Sequence, residues 1–360
     1  MIDIKPVLIM AGGTGGHVFP ALAVATELRD RGVPVVWLGT KNGLEAKVVP
    51  DAGFPIQWIN IGGLRGKSGM TYLLAPVALV RACVQAFFII RAIKPCAVLG
   101  MGGFVSGPGG LMAWLVRKPL LIHEQNAVAG LTNRMLSKIA KHVFVAFPGT
   151  LAKKEIQVGN PVRKEIIDLQ APEIRLANKT GALKLLVIGG SLGAVRLNEV
   201  LPEAISKIAP EDRPVIIHQT GIKNIDQARA CYDKFNVDAK VEAFIDDMAQ
   251  AYSWADLVVC RAGAMTIFEL AATGVASILV PFPYAVDDHQ SANGQYLVDA
   301  GAAILIQQKE MDSDWLCKTI TQLTNQRDRL LQMAKAARLC SKPDAANEVA
   351  QMCMVAGGIA

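Results

Sequence analysis

Val7-Leu8-Ile9-Met10-Ala11-Gly12-Gly13-Thr14-Gly15-Gly16-His17 is the stretch on which the reading of this chain turns. Four apolar residues without polar alternation suit a strand covered on both faces. The glycines that follow let a backbone loop approach a ligand closely. Pro20–Arg31 then has helical spacing, with Leu22, Ala25 and Leu28 on one face and Gly32 as a stop. Strand, glycine loop and helix N-terminus in that order make an anion site, because free N–H groups and the helix dipole converge there. The loop is not a dinucleotide fingerprint. Val18 stands where the third glycine belongs, and the next strand, Val33–Leu38, ends in Gly39-Thr40 with no acid for a ribose.

The same pattern recurs outward from this point. Ala97–Leu99 runs into the glycine-rich 100–110, and Pro119–His123 runs into Glu124-Gln125-Asn126. It restarts at Leu183–Ile188, which ends in Gly189-Gly190-Ser191-Leu192-Gly193-Ala194 before a helix over Leu197–Ile208. Val215–His218, Val241–Phe244, Asp256–Cys260 and Ala276–Pro281 are further strands, and Arg261-Ala262-Gly263-Ala264 leads into a helix over Met265–Ala272. Strands alternating with helices predict an α/β fold of two Rossmann-like, doubly wound parallel sheets. A length of 360 residues suits two domains. Asn160-Pro161 breaks any helix, so the boundary is placed at Arg163, giving domains 1–163 and 164–340. Ligands of such sheets bind beyond the carboxyl ends of the strands. The expected site is therefore an interdomain cleft lined by the glycine loops.

Hydrophobic residues make up 52% and charged residues 19%, which excludes general disorder. Residues 1–163 hold 18 Lys+Arg against 7 Asp+Glu, or +11; subtraction from 37 and 31 leaves 19 against 24, or −5, for the rest. The basic half should attract phosphates or an anionic membrane surface. Nucleic acid is the weaker partner, since no basic run interleaved with aromatics occurs. Seven dispersed cysteines without Cys-x-x-Cys read as reduced thiols, and the N-terminus lacks a secretory signal pattern. Tyr72–Ile90 is very apolar but carries Arg81 and Gln85, so a membrane-spanning helix is not expected. The first reading is a mostly buried helix; the alternative lies with one face on a membrane, amid Arg65, Lys67, Arg81, Arg91 and Lys94.

Other signals are weaker. Arg65-Gly66-Lys67-Ser68 lacks the glycine at 61 that a P-loop needs. Asp312-Ser313-Asp314 precedes a helical segment and reads as a cap rather than a metal site. The five histidines show no paired metal spacing, and neither metal nor cofactor is expected. His17 directly follows the glycine loop, where an imidazole suits proton transfer near neutral pH. Glu269 is placed to hold ribose hydroxyls, or else serves the helix dipole. Asp287–Asn293 can hydrogen-bond a sugar.

Taken together, Gly12–Pro20, Gly102–Gly110, His123–Asn126, Gly159–Arg163, Gly189–Ser191, Phe244–Met248 and Arg261–Glu269 closely resemble the MurG-type N-acetylglucosaminyltransferases of bacterial peptidoglycan synthesis, in glycosyltransferase family 28. The resemblance runs over nearly the whole chain. It implies a GT-B fold, with the tail at about 341–360 returning to the first domain. It implies inverting transfer of GlcNAc from UDP-GlcNAc to the C4 hydroxyl of MurNAc in undecaprenyl-diphospho-MurNAc-pentapeptide (lipid I), giving lipid II. The location implied is peripheral, on the cytoplasmic face of the inner membrane, with cell-wall and division proteins as further partners. Donor contacts implied are Arg163, Ser191, Ile245, Gln290 and the run Ala264, Met265, Thr266, Ile267, Phe268 and Glu269, with Ile245 near the uracil. Thr14, Gly15, Gly16 and Asn126 would line the sugar and acceptor side, with His17 as the base. The sequence departs from the family at Ala262, where serine is common. It departs again at Pro281-Phe282-Pro283-Tyr284, whose longer loop shifts the alignment of Gln290. The rival activities are a UDP-GlcNAc 2-epimerase and a non-catalytic sugar-nucleotide-binding subunit.

Overall fold

Thirteen strands, all parallel, form two sheets among the described residues, and the sheet order rather than the strand count locates the functional loops. The structure is a computed structural model describing residues 4–62, 69–151, 155–177, 181–190 and 193–359, with side chains for all of these except 69–73 and 286. Arg65, Lys67 and Ser191 therefore lie outside the described residues.

The chain divides into one unit of residues 1–163 with 342–360 and a second of residues 164–341. In the first, the strands are β1 (Val7–Met10), β2 (Val35–Gly39), β3 (Ile56–Trp58), β4 (Ala97–Gly100), β5 (Leu120–Glu124), β6 (His142–Val145) and β7 (Glu155–Gln157). Its helices are α1 (Gly15–Asp30), α2 (Glu45–Asp51), α3 (Gly69–Ile93), α4 (Ser106–Leu115) and α5 (Leu131–Leu136). In the second, α6 (Lys164–Ile167) and α7 (Pro172–Leu176) precede β8 (Lys184–Ile188), α8 (Val195–Ser206), β9 (Val215–Gln219), α9 (Ile225–Lys234) and β10 (Lys240–Glu242). There follow α10 (Met248–Trp254), β11 (Leu257–Cys260), α11 (Ala264–Thr273), β12 (Ala276–Leu279), α12 (His289–Asp299), β13 (Ala303–Leu305), α13 (Ser313–Asn325) and α14 (Arg327–Leu339). The last helix, α15 (Ala345–Gly357), belongs to the first unit and packs on α1.

The first sheet runs β3-β2-β1-β4-β5-β6-β7 and the second β10-β9-β8-β11-β12-β13. In each, the order reverses beside the first strand of the unit, between β1 and β4 and between β8 and β11. A crevice opens at such a reversal because the flanking crossovers leave in opposite directions. Burial on both sheet faces explains the apolar runs. Val7 and Ile9 join a core with α1 and α15, while Leu8 and Met10 join another with α3 and α4. Asp312 caps α13 by accepting from the Trp315 N–H at 2.8 Å, as its place before a helix suggests.

Two findings differ from the sequence reading. First, α1 begins at Gly15, not Pro20: extended Thr14 offers its carbonyl to the His17 and Val18 N–H groups, so Gly15–His17 form the first helical turn. Second, α3 is not mostly buried. Ala82, Ala86 and Ile90, four residues apart, form its buried stripe, whereas Leu74, Val77, Leu79, Val80, Val84 and Phe88 are exposed. Leu74–Ile93 is long and apolar enough to cross a membrane by length and composition.

His123 and His218 are fully buried, and burial pushes their pKa values down to about 4 and about 3. Both stay neutral in the folded protein while the unfolded chain protonates near pH 6.5. Stability is therefore lost as pH falls below about 6.5, by about 1.4 kcal/mol per histidine per pH unit until the folded value is reached. Urea unfolding at pH 7 and 5.5 should differ accordingly, and His218→Phe should shrink the difference.

Candidate active site

The unit-one site is built where β1 and β4 end side by side. The Met101 N–H donates to the Met10 carbonyl at 2.8 Å, so the two glycine loops start in register. A Cβ on Gly103, which has φ +80°, would lie 2.3 Å from the Gly12 carbonyl oxygen, so only glycine allows this approach. Ser106 fastens the second loop, receiving the Gly102 N–H at 3.1 Å and lying within hydrogen-bond reach of the Gly102 and Met10 carbonyls.

His17 projects from the first turn of α1 over Gly102, where an added Cβ would lie 2.5 Å from its Nδ1. That Nδ1 is 3.0 Å from Gln125 Oε1, and Gln125 Nε2 donates to the Met101 carbonyl at 2.8 Å. The carbonyl can only accept, which fixes the amide orientation. Oε1 therefore accepts from an Nδ1–H, and neutral His17 keeps its lone pair on Nε2. Gln125 is buried, as is Glu124, whose Oε1 accepts from the Asn126 N–H and whose Oε2 accepts from the Gly130 N–H and Asn133 Nδ2. Glu124 thus holds the turn that presents Asn126. Arg163 stacks over the Phe19 ring at 5.5 Å, and Phe19 lies against Gly15, so Arg163 joins the glycine loop of unit one.

Glu45 was not legible as a site residue. Fully buried at the start of α2, it accepts from the Gly13 N–H at 2.9 Å through Oε2 and from the Thr40 N–H and Oγ1 through Oε1. It anchors the first glycine loop to the end of β2, the place where a dinucleotide fold carries its ribose acid. Its glycine neighbours Gly39 and Gly43 were the available signal, but no spacing rule connects them to an inward carboxylate. Glu45→Gln should cost about 2 kcal/mol, since one amide N–H must face a backbone N–H in a buried place. Chemical denaturation measures this, and an unchanged midpoint would remove the anchoring role.

The unit-two site lies at the ends of β8 and β11. Gln219 clamps the loop after β8, accepting from the Gly190 N–H and donating to the Gly190 and Ala243 carbonyls. Past β11, Arg261 donates to the Val280 and Pro281 carbonyls and to Gln308. Gly263 caps α11 with no side-chain hydrogen bond, leaving the first-turn N–H groups of Ala264, Met265 and Thr266 to an anion. Ile267 and Phe268 are fully buried, with Phe268 stacked on Tyr296 and the Ile267 N–H donating to the Gly263 carbonyl, so neither is open to a ligand in this structure. Glu269 sits in the middle of α11 rather than in its first turn, which rules out a cap. It is largely buried and accepts from Tyr252 Oη at 3.1 Å. Ile245 is buried after β10, and Gln290 closes the 282–290 loop by accepting from the Phe282 N–H at 2.9 Å. Asn293, one turn further on, donates to the Ala262 carbonyl, tying α12 to the loop before α11.

Two Rossmann-like units, each with a glycine loop at its sheet reversal, define the GT-B class of glycosyltransferases. Residues 7–145 match the glycosyltransferase family 28 N-terminal domain, and residues 184–349 match the family 28 C-terminal domain. A protein from Marinobacter nauticus is 52% identical over 97% of both chains and is named UDP-N-acetylglucosamine–N-acetylmuramyl-(pentapeptide) pyrophosphoryl-undecaprenol N-acetylglucosamine transferase. The crystal structure of Acinetobacter baumannii MurG is 43% identical, covers 98% of this chain and 99% of that one, and superposes with a TM-score of 0.85. A UDP-N-acetylglucosamine 2-epimerase shares the fold at a TM-score of 0.66 with 16% identity. The chain belongs to glycosyltransferase family 28.

Proposed function

We propose that the protein transfers GlcNAc from UDP-GlcNAc to the C4 hydroxyl of MurNAc in lipid I, with inversion, forming lipid II. The observation that carries the substrate assignment is the near-full-length match to a transferase of that printed name. The geometry supports the following roles. His17 takes the acceptor proton on Nε2, with Gln125 holding the ring and its tautomer. The hydroxyl attacks the anomeric carbon and UDP departs. Its growing charge is met by the free N–H groups at the start of α11, with Ser191 and Arg163 assisting. Glu269 accepts from the ribose hydroxyls, Ile245 packs near the uracil, and Gln290 and the Thr14–Gly16 turn contact the sugar. Asn126, presented by Glu124, lies on the acceptor side. Incubation with UDP-GlcNAc alone, followed by product analysis, should return unchanged sugar nucleotide; an epimerised product would overturn the transferase reading in favour of the epimerase.

The acceptor carries a polyprenyl chain, and exposed apolar residues of unit one support docking on a membrane. Val77, Val80, Val84 and Phe88 of α3 and Leu111, Trp114 and Leu115 of α4 are exposed apolar residues on two helices that pack together. With the +11 of residues 1–163, they form a peripheral docking face for the anionic cytoplasmic leaflet. Arg91→Glu should weaken binding to anionic vesicles about fivefold or more, and added salt should act in the same direction. Sedimentation unchanged by either would refute the docking face.

A further inference from the structure

Three neighbouring strands of the second sheet, β11, β12 and β13, end side by side, and each sends a loop from its carboxyl end. The loops after β11 and β12 carry Arg261 and Gln290 and belong to the donor site described above. The loop after β13, at the sheet edge, contributes no residue to that site. Two consecutive residues of this loop, Gln307 and Gln308, nevertheless reach back into it in different directions. Gln308 Oε1 accepts from Arg261 Nη2 at 2.6 Å. Gln307 Nε2 donates to Ser291 Oγ at 2.8 Å, and Ser291 Oγ donates to Asp288 Oδ1 at 2.8 Å.

Chemistry fixes the orientation of both amides. A guanidinium only donates, so Gln308 must present its oxygen. A carboxylate only accepts and takes the single proton of Ser291, so that hydroxyl can only accept from Gln307, which must present an N–H. The contacts close a circuit. The Arg261 guanidinium lies over the Phe282 ring at 5.6 Å, the Phe282 N–H donates to Gln290 Oε1, and Gln290 precedes Ser291 in the first turn of α12. With its oxygen held by Phe282, Gln290 keeps its N–H groups as donors for a sugar hydroxyl. The circuit has strain to hold. Asp287 and Asp288, which lead into α12, have φ of 51° and 48°, a left-handed conformation that side chains other than glycine disfavour. Half-buried Arg261 has only neutral oxygens as acceptors, those of Val280, Pro281 and Gln308, so no ion pair replaces the one that Gln308 supplies.

We propose that Gln307 and Gln308 are positioning residues of the donor site, each with its own target. Gln308, through Arg261, sets the approach to α11, whose first turn meets the diphosphate. Gln307, through Ser291, sets the first turn of α12 and so aims Gln290 at the GlcNAc ring. The assignment rests on the donor-binding reading of unit two. It adds the edge loop that governs recognition of the donor sugar separately from binding of the nucleotide.

Calorimetry on the full chain, with UDP and UDP-GlcNAc as separate ligands, tests the assignment. Gln307→Leu should weaken UDP-GlcNAc about tenfold and leave UDP within about twofold of the wild type. Its retained UDP binding also shows that it is folded. Gln308→Leu should weaken both ligands by a similar factor, about fivefold. The two isosteric acids should behave in opposite ways, which a merely structural role would not produce. Gln308→Glu still accepts from Arg261 and should bind both ligands at least as tightly as the wild type. Gln307→Glu cannot donate to Ser291 and should bind UDP-GlcNAc as poorly as Gln307→Leu does. Unchanged UDP-GlcNAc affinity in Gln307→Leu, an equal loss of both ligands in that variant, full affinity in Gln307→Glu, or unchanged UDP affinity in Gln308→Leu would each overturn the assignment while leaving the donor site standing. Failure of the wild type to bind UDP-GlcNAc would overturn the donor-site reading itself, and the assignment with it.

Discussion

His17→Ala lowers kcat about 100-fold or more at saturating donor and acceptor, with donor KM within a few-fold of the wild type. The expectation follows from how the ring is held. Gln125 is buried and its amide is locked by the Met101 carbonyl, so the imidazole has one committed nitrogen and one free one. In the proposed role, Nε2 in the first turn of α1 takes a proton from a bound hydroxyl. Positioning and proton transfer are separated by His17→Gln, which keeps a polar group of similar reach but cannot take the proton and so should not restore the rate. Gln125→Leu should lower kcat and leave donor KM alone, because it frees the ring without touching α11. Near-normal turnover in His17→Ala would remove the base assignment.

Glu269→Ala raises the donor KM about 100-fold, with a smaller change in kcat. Two hydrogen bonds from neutral hydroxyls to a carboxylate are worth about 1.5–3 kcal/mol each when the site is dry. Glu269 is largely buried, and the Tyr252 hydroxyl donates to it at 3.1 Å. Tyr252→Phe removes that one bond while leaving the carboxylate in place. It should move donor KM far less than Glu269→Ala does. A donor KM unchanged by Glu269→Ala would mean that the carboxylate serves the fold of α10 and α11, and not the ribose.

The paired sheets were legible because their central strands are buried on both faces. Val7–Met10 and Leu183–Ile188 have no polar alternation to misread, and each is stopped by glycines. The edge strands β3, β7 and β13 were not legible. Each has three residues; Gln57 breaks β3 and Glu155 and Gln157 break β7, while β13 is apolar but too short to stand out. The start of α1 was missed because glycines are poor helix formers, yet the Thr14 carbonyl draws Gly15–His17 into the first turn. The exposure of α3 could not be read from composition, since an apolar helix looks alike whether core or membrane surface covers it. Its small buried stripe of Ala82, Ala86 and Ile90 shows on which side the packing lies. In the candidate site, residues on the glycine turns announce themselves through sequence. The residues that hold those turns do not: Glu45, Gln125 and Gln219 act through tertiary contacts to backbone N–H and carbonyl groups far away in sequence.

Release of UDP from UDP-GlcNAc, followed with and without a lipid I analogue, tests the transfer reaction most directly. The expected result is release that depends on the analogue, saturates with it and leaves a disaccharide lipid product. Release at the same rate without the analogue, or binding of UDP-GlcNAc with no release in its presence, would contradict it.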